Sequence, residues 1–349
     1  MSLQATIAKL LLKLPASVKI KMAGGKPVVI GGRTLDPTIK AYLNAPDAAN
    51  GPRMWEMTPN DARLYYAGMV EKLMGHVSIP CATEDHLMDL PGRALTFRIY
   101  RPDGAGPDTP VMVYYHGGGW VIGDIDTHDK SCRALAVEGN VYVVSVDYRR
   151  APEHPFPAAA ADAYDAFCWV AENGGALGLN TDNLGIGGDS AGANIAAATT
   201  LQLRDGGGPA CAWQLLIYPS VAAEQDTAST RDFAKGYGLD AEVLEWFGAH
   251  YIPEGANLSD PRLSPLMADS HAHLPPALIV TAGFDPLRDS GCTYADRLCE
   301  SGVPVDYREY PDLVHGFQSW AGIIPSAAAA VKDIACGLGE INCAVNKCL

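Results

Sequence analysis

The sequence of 349 residues has no Cys-x-x-Cys pair and no uninterrupted apolar run approaching membrane-spanning length. Without paired cysteines, the nine scattered Cys predict reduced thiols in a cytoplasmic protein and offer no zinc site of the paired kind. Without a long apolar run, no transmembrane helix is expected. The apolar stretch of residues 7–17 contains Lys9 and Lys13, which argues against a secretory leader.

Basic residues are outnumbered, because 26 Lys and Arg stand against 40 Asp and Glu and give a formal net charge of −14. Charge of that sign repels nucleic-acid backbones and anionic lipid surfaces, so we expect neither nucleic-acid binding nor stable membrane insertion. His271 and His273 could in principle hold a metal, but we expect both to be solvated in a polar loop, with no metal bound. The hydrophobic content of 48% excludes a disordered chain and supplies a sizeable core.

Short apolar runs rich in β-branched and aromatic residues alternate with helical patterns from residue 111 onward. The predicted strands are Val111–Tyr115, Val141–Val146, Leu184–Gly187, Trp213–Tyr218, Ala277–Thr281 and Val305–Tyr310. Helical patterns include Ala158–Asn173 and Ala191–Leu203. This alternation predicts an α/β fold, with a mostly parallel central sheet flanked by helices on both faces.

Two regions depart from the alternation. Residues 1–75 follow a helical pattern, with one apolar face formed by Ile7, Leu10, Leu11 and Leu14, and residues 220–262 carry aromatic side chains without strand alternation. An insertion at the carboxyl end of a strand lies over the edge where open α/β sheets bind ligands. We therefore predict an N-terminal helical cap region at 1–75, a main domain at 76–349 and a second cap segment at about 220–262. The alternative is that the N-terminal helix covers apolar surface or mediates association.

The segment Gly188-Asp189-Ser190-Ala191-Gly192 follows a strand pattern and begins a helical one. A nucleophile on so sharp a turn needs neighbours without Cβ atoms, which explains the two glycines. The turn exposes the Ser190 hydroxyl, and the helix directs free N–H groups and the positive end of its dipole toward it. Asp189 is expected to face away from the pocket and to have a structural hydrogen-bonding role. The pattern alone is weak evidence, since it arises by chance about one time in six.

The segment His116-Gly117-Gly118-Gly119-Trp120 directly follows the first predicted strand. Three glycines allow the backbone to approach a ligand closely, and such a loop can donate two hydrogen bonds to an oxyanion, with the N–H of Ala191 as a third. Gly117 and Gly118 are the first choice of donors, with Gly119 next. No basic residue or Lys-Ser/Thr pair accompanies the loop, so phosphate binding is disfavoured. His116 is the competing histidine for the role of base in the proposed chemistry, but its position before the glycines favours a role in orienting the loop.

A nucleophilic serine needs a base, and the base needs an orienting partner. Asp285 follows a predicted strand and His315 follows the last one, so both are expected at the carboxyl edge of the sheet with Ser190. Asp289 is a competing acid, which more simply starts the next helix or forms a salt bridge there. The order Ser, Asp, His along the chain is that of the α/β-hydrolases.

Together these motifs resemble the bacterial hormone-sensitive-lipase family of α/β-hydrolases, the family IV esterases of the Gly-Asp-Ser-Ala-Gly branch. The resemblance runs from about Leu95 onward and includes the glycine loop and the serine turn already described, together with Gly123-Asp124, Thr127-His128-Asp129, Asp147-Tyr148-Arg149, Ala151-Pro152-Glu153, Phe156-Pro157-Ala158, Asp285-Pro286-Leu287-Arg288-Asp289 and His315-Gly316-Phe317. Arg150 departs from the family pattern, which usually has an apolar residue there.

The resemblance implies an α/β-hydrolase catalytic domain at residues 76–349 and a helical cap. It implies that Ser190 is the nucleophile, His315 the general base and acid and Asp285 its partner, with no cofactor. The implied activity is that of a serine carboxylesterase that hydrolyses short- to medium-chain acyl esters through an acyl-enzyme. An amidase, arylacetamide deacetylase or thioesterase with the same triad is an alternative. A non-catalytic receptor on the same fold is disfavoured, because such receptors have lost the histidine.

Two aromatic residues are candidates for the walls of a substrate pocket. Trp120 and Tyr218 stand beside the glycine loop and at a strand end, where they could wall a pocket for a small-molecule ester or belong to the core. Dimerisation is common among the relatives, so a homodimer is weakly favoured.

Overall fold

The computed structural model describes residues 14–22, 24–44, 52–75 and 78–346. Ile7, Leu10 and Leu11 of the predicted apolar helix face lie outside the described residues.

Eight strands form the central sheet, and two short strands form a separate antiparallel pair near the N-terminus. The pair consists of β1 (Val29–Ile30) and β2 (Arg33–Thr34). The strands of the central sheet are β3 (Ala82–Leu90), β4 (Arg93–Arg101), β5 (Val111–Tyr115), β6 (Tyr142–Val146), β7 (Leu184–Asp189), β8 (Gln214–Ile217), β9 (Ala277–Phe284) and β10 (Val305–Val314). Their spatial order is β10-β9-β8-β7-β5-β6-β4-β3. The strands β6, β5, β7, β8, β9 and β10, taken in their spatial order, are all paired in parallel. β4 is antiparallel to both β3 and β6.

Helices cover both faces of this sheet. The α-helices are α1 (Ala16–Met22), α2 (Pro37–Leu43), α3 (Pro59–Met74), α4 (Asp129–Gly139), α5 (Ala158–Asn173), α6 (Ala191–Gly206), α7 (Ala228–Asp232), α8 (Ala241–Tyr251), α9 (Arg288–Glu300) and α10 (Pro325–Asn346). Short 3-10 turns occupy Met54–Glu56, Gly174–Leu177, Thr181–Asn183, Pro265–Met267 and Phe317–Trp320.

The two-residue period of a strand divides the core into two layers. In β5, Val111, Val113 and Tyr115 enter one cluster, together with side chains of α5 and α6. Met112 and Tyr114 enter the other, together with side chains of α4 and α10. All five residues of β5 are fully buried, because helices lie on both sides of this central strand.

The predicted α/β-hydrolase fold is confirmed, and so are all six predicted strands, although several differ at their ends. β9 extends through Phe284 and β10 through Val314, so Asp285 and His315 are the first residues after their strands. β3 and β4 were not predicted from the sequence. These strands form an antiparallel edge whose outer member, β3, is largely exposed and polar, and it therefore lacks the apolar run that marks a buried strand.

Candidate active site

The turn between β7 and α6 holds Ser190 in a rare backbone conformation, with φ of 54° and ψ of −116°. The neighbouring glycines are required sterically. A Cβ on Gly188 would lie 2.4 Å from the carbonyl carbon of Gly192, and a Cβ on Gly192 would lie 1.9 Å from the carbonyl oxygen of Tyr115. The Ser190 N–H donates to the Ile217 carbonyl at 2.9 Å, which fixes the turn to the neighbouring strand.

Three predicted residues meet at this turn. The Nε2 atom of His315 lies 2.9 Å from the Oγ atom of Ser190, and its Nδ1 atom lies 2.8 Å from the Oδ2 atom of Asp285. Asp285 is fully buried, and its other carboxylate oxygen accepts the Leu287 N–H at 2.8 Å. Residues separated by up to 125 positions are therefore aligned as hydroxyl, imidazole and carboxylate.

The glycine loop supplies N–H groups beside Ser190, but the sequence-based choice of Gly117 as an oxyanion donor is wrong. Its N–H donates to the Oδ1 atom of Asp189 at 2.9 Å and is not free to bind a substrate oxygen. The N–H groups of Gly118, Gly119 and Ala191 have no acceptor within the described ranges. Ala191 is the first residue of α6, where N–H groups lack partners within the helix.

Gly118 and Gly119 could not be replaced by larger residues in this loop. Both have positive φ, 113° and 58°. A Cβ on Gly118 would lie 2.3 Å from the Ile122 carbonyl oxygen, and one on Gly119 would lie 2.2 Å from the ring of Phe247 in α8. The loop is therefore compressed between its own backbone and α8.

The competing candidates for base and acid lie elsewhere. His116 is fully buried, its ring stacks on that of Tyr148 with centroids 4.3 Å apart, and its Nδ1 atom lies 2.8 Å from the Gly117 carbonyl oxygen. Burial and the nearby His128 charge lower the pKa of His116 to about 3, so it is neutral near pH 7. Asp289 pairs with Arg288 at the start of α9 and accepts the Ser229 N–H. These contacts agree with the orienting and structural roles expected of the two residues.

A cleft of about 1600 Å³ opens over Ser190 and His315. Apolar side chains of α3 and α8 border it, among them Leu64, Tyr65, Met69, Val243, Leu244 and Phe247. Trp120 and Tyr218 border it as well. The ring of Trp120 stacks on that of Tyr251 at a centroid distance of 4.4 Å, and the ring of Tyr218 lies 4.6 Å from that of His315. Both residues also belong to the buried core, and their contact with a substrate stays a prediction.

Sequence reasoning missed the contact that attaches α3 to the glycine-loop region. The Arg63 guanidinium donates to both carboxylate oxygens of Glu153 at 2.7 Å and to the carbonyl oxygens of Val121 and Ala151 at 2.9 Å. These hydrogen bonds lower the pKa of Glu153 to about 2. The Ala-Pro-Glu motif was visible in the sequence, but its partner lies 90 residues away and no local pattern marks it.

Two further residues can now be placed. Arg150, which departs from the family pattern, donates to the Gly123 carbonyl and has its NH1 atom 4.0 Å from an Asp124 carboxylate oxygen. The expectation that His271 is solvated is wrong. It is buried, its Nε2 atom lies 2.9 Å from the Pro265 carbonyl oxygen and its ring meets that of Tyr294 edge-on, whereas His273 is exposed.

Among the described residues, no group of three or more His, Cys, Asp or Glu side chains is close enough together to hold a metal ion. The helices within those ranges include none that is both long and apolar enough to cross a membrane.

This arrangement is that of an α/β hydrolase: a serine lies on a strand–turn–helix and is hydrogen-bonded to a histidine that follows the last strand of a mostly parallel sheet. Residues 112–319 match the sequence model of a protein family whose description is α/β hydrolase fold. The chain is 38% identical over 340 residues to the carboxylic ester hydrolase LipN of Mycobacterium tuberculosis, with 93% of this chain and 88% of LipN covered. It is 44% identical over 250 residues to the carboxylesterase NlhH of the same species, with 70% and 76% covered.

Among solved structures, the ester hydrolase EH1AB1 from the metagenome of Lake Arreo, complexed with a derivative of bipyridine phosphonate, superposes with a TM-score of 0.85. It shares 39% identity, with 88% of this chain and 98% of that chain covered. The chain belongs to the hormone-sensitive-lipase-like family IV of the α/β hydrolases, which confirms the resemblance found in the sequence.

Proposed function

We propose that this chain is a serine carboxylesterase with Ser190 as nucleophile, His315 as general base and acid, and Asp285 as the partner of His315. The observation that carries the proposal is the pair of contacts made by the His315 ring, 2.9 Å to the Ser190 hydroxyl and 2.8 Å to the Asp285 carboxylate. Proton transfer from the serine requires an imidazole that is hydrogen-bonded to the serine and to the carboxylate at the same time, and both distances are within hydrogen-bonding range.

Turnover proceeds in two halves. His315 takes the Ser190 proton as the serine oxygen attacks the ester carbonyl, and the N–H groups of Gly118, Gly119 and Ala191 bind the resulting oxyanion. Each such donor is worth about 10²–10³ in kcat. His315 then gives the proton to the departing alkoxide, and an acyl-enzyme remains. Water, deprotonated by His315, releases the acid by the same route, while Asp285 stabilises the imidazolium formed in each half.

The substrates we infer are neutral esters with short- to medium-chain acyl groups. The regions predicted as cap, 1–75 and 220–262, supply α3 and α8, whose apolar side chains border the cleft over Ser190. An apolar cleft favours uncharged acyl and alkyl groups because charged ones would lose their hydration there. We assign to these two regions the role of a cap over a catalytic domain at 76–349.

Location and assembly remain predictions. The cysteines that the structure describes are all free thiols, which fits a reducing compartment such as the cytoplasm. A homodimer is the assembly we expect, to be tested by measuring the molecular mass in solution.

The decisive experiment compares Ser190→Ala with Ser301→Ala on p-nitrophenyl esters of increasing chain length and on the matching anilides. Ser301 follows the last residue of α9, at the end of that helix remote from Asp285. Ester turnover is expected to disappear in Ser190→Ala and to persist in Ser301→Ala. A fluorophosphonate probe should label the unmodified chain and not Ser190→Ala. Hydrolysis that survives in Ser190→Ala contradicts the assignment, and faster turnover of anilides than of esters would identify an amidase instead.

A further inference from the structure

Asp189 precedes the nucleophile, and its carboxylate is hydrogen-bonded inside the protein to β5 and to the glycine loop. The side chain is buried, and it accepts hydrogen bonds from the Gly117 N–H at 2.9 Å and the Tyr114 hydroxyl at 2.8 Å. Gly117 lies so close that a Cβ there would be 2.4 Å from the Oδ2 atom of Asp189. The first glycine of the loop is therefore the point at which the loop is held.

The carboxylate is charged in spite of its burial. Burial alone raises the pKa of Asp189, but the positive charge of His128 and the hydrogen bonds from His128, Tyr114 and Gly117 lower it below its ordinary value. The Nε2 atom of His128 lies 3.5 Å from the Oδ1 atom of Asp189. Its Nδ1 atom lies 3.2 Å from the Asp124 carbonyl oxygen. The imidazole of His128 and the carboxylate of Asp189 thus face each other inside the protein, and the same carboxylate holds the first glycine of the loop.

A second tyrosine and a glutamine complete the surroundings of this carboxylate. The Tyr218 hydroxyl lies 3.3 Å from the Oδ2 atom of Asp189, and the Oε1 atom of Gln318 lies 3.4 Å from the Tyr114 hydroxyl and 3.3 Å from that of Tyr218. Each phenol has one proton, which the carboxylate accepts, so the phenol oxygens need a donor. The NH₂ group of Gln318 has no partner in the described part of the chain. Rotating the side-chain amide of Gln318 by half a turn points this NH₂ group at the two phenol oxygens.

We propose that Asp189 is a positioning residue for the oxyanion donors. By holding the Gly117 N–H it sets the direction in which the next two N–H groups of the loop point, and Gln318 connects it to the loop that carries His315. Gln318 is three residues after His315, so one hydrogen-bonded network joins the segments of nucleophile, base and oxyanion donors. The inference rests on the proposed esterase function.

Two adjacent tyrosines provide the test. Tyr114 and Tyr115 are both fully buried in β5 and point to opposite faces of the sheet. The Tyr114 hydroxyl donates to Asp189, and the Tyr115 hydroxyl donates to the Ala163 carbonyl at 2.6 Å. Replacing either by Phe removes one buried hydroxyl, so both variants are expected to lose stability by a similar amount, and only Tyr114→Phe disturbs the network.

We expect Tyr114→Phe to lower kcat on p-nitrophenyl acetate by about 10-fold with KM nearly unchanged, because a misdirected donor loses part of the 10²–10³ that it contributes. The same variant should bind an alkyl trifluoromethyl ketone more weakly by a similar factor, since its adduct with the serine carries an oxyanion. Tyr115→Phe should keep the kcat and the affinity for the trifluoromethyl ketone of the unmodified chain. Gln318→Leu should act like Tyr114→Phe, and the double variant should lose less than the product of the two effects.

Equal kcat in the two tyrosine variants, at temperatures where both are folded, would overturn the positioning role while leaving the esterase intact. An unmodified chain that hydrolyses no ester would overturn the proposed function, and the positioning role with it. The two failures are therefore distinguished within one assay.

Discussion

At the scale of single residues, the site depends on close backbone approaches that exclude side chains. Ser190 has a positive φ, and backbone atoms of β5 and α6 fill the space next to the flanking glycines Gly188 and Gly192. Gly192 has the tightest surroundings in the serine turn, because a Cβ there would lie 1.9 Å from the Tyr115 carbonyl oxygen, whereas the atom nearest to a Cβ on Gly188 would be 2.4 Å away. The glycines of the serine turn are therefore required for packing, whereas the serine is required for the proposed chemistry.

Gly192→Ala is expected to lower the free energy of unfolding by about 1–3 kcal/mol or more, because β5 and the start of α6 must move apart. Gly339→Ala is the control. It lies in α10 with no atom within 4 Å of the added Cβ, and it should raise stability by about 0.5–1 kcal/mol through helix propensity. Urea unfolding of both variants measures the difference, and equal stabilities would contradict the steric argument.

His128 gives the stability of the protein a predictable pH dependence. Burial lowers its pKa, but the attraction of Asp189 outweighs burial and raises the pKa above 6.5. A raised pKa stabilises the fold fully below the unfolded value, and the stabilisation disappears as pH rises through the folded value. The groups facing His128 in the structure include Asp189, the rings of His116 and Tyr66, the Thr127 hydroxyl and the Asp124 carbonyl.

We therefore expect His128→Gln to reduce the free energy of unfolding more at about pH 6 than at about pH 9. Urea titrations of the unmodified chain and the variant at both pH values test this. A difference that is the same at both pH values would show that folding does not raise the pKa of His128, and a difference that is larger at the higher pH would show that folding lowers it.

At the scale of elements, the Arg63 side chain attaches α3 to the glycine-loop region. Arg63 contacts Val121 just beyond the glycine loop, and Ala151 and Glu153 in the segment after β6. Exposed Leu64 and Tyr65 follow it in the same helix and border the cleft. Because Glu153 is half exposed, the ion pair itself contributes little, and the guanidinium acts mainly by satisfying two carbonyl oxygens.

Arg63→Ala is expected to raise KM by about 3- to 10-fold with a smaller change in kcat, because α3 borders the cleft but does not supply the triad. The backbone amides of α3 should exchange with deuterium faster than in the unmodified chain. Arg204→Ala is the matched control, since Arg204 also binds two carbonyl oxygens, those of Ser270 and Ala272. If the control raises KM as much, the attachment of α3 is not what Arg63 provides.

At the scale of the whole molecule, the net charge of −14 affects which substrates approach. A field of one sign slows the encounter with molecules of the same sign, and salt screens it over about 10 Å at 0.1 M. We expect kcat/KM for an anionic ester, such as a succinate monoester, to rise when ionic strength increases from about 10 mM to about 300 mM. The value for a neutral ester of similar size should change little, and equal salt responses would rule out steering by net charge.

The sequence was sufficient for the features that depend on local patterns. Apolar runs and their alternation with helical segments predicted the central strands, and the Ser190 turn, Asp285 and His315 were found from motifs at strand ends. The edge strand β3 was missed because its residues are polar and half exposed, and such a strand is recognised only by its pairing with β4.

Neighbouring residues encode the family, the order of the buried strands along the chain and the three residues of the proposed triad, so these could be predicted without coordinates. The folded chain was needed to show which N–H groups of the glycine loop lack an acceptor among the described residues, that Asp189 holds Gly117, and that Arg63 binds Glu153. These contacts join residues 72 and 90 positions apart, and their existence depends on distances that no local pattern encodes.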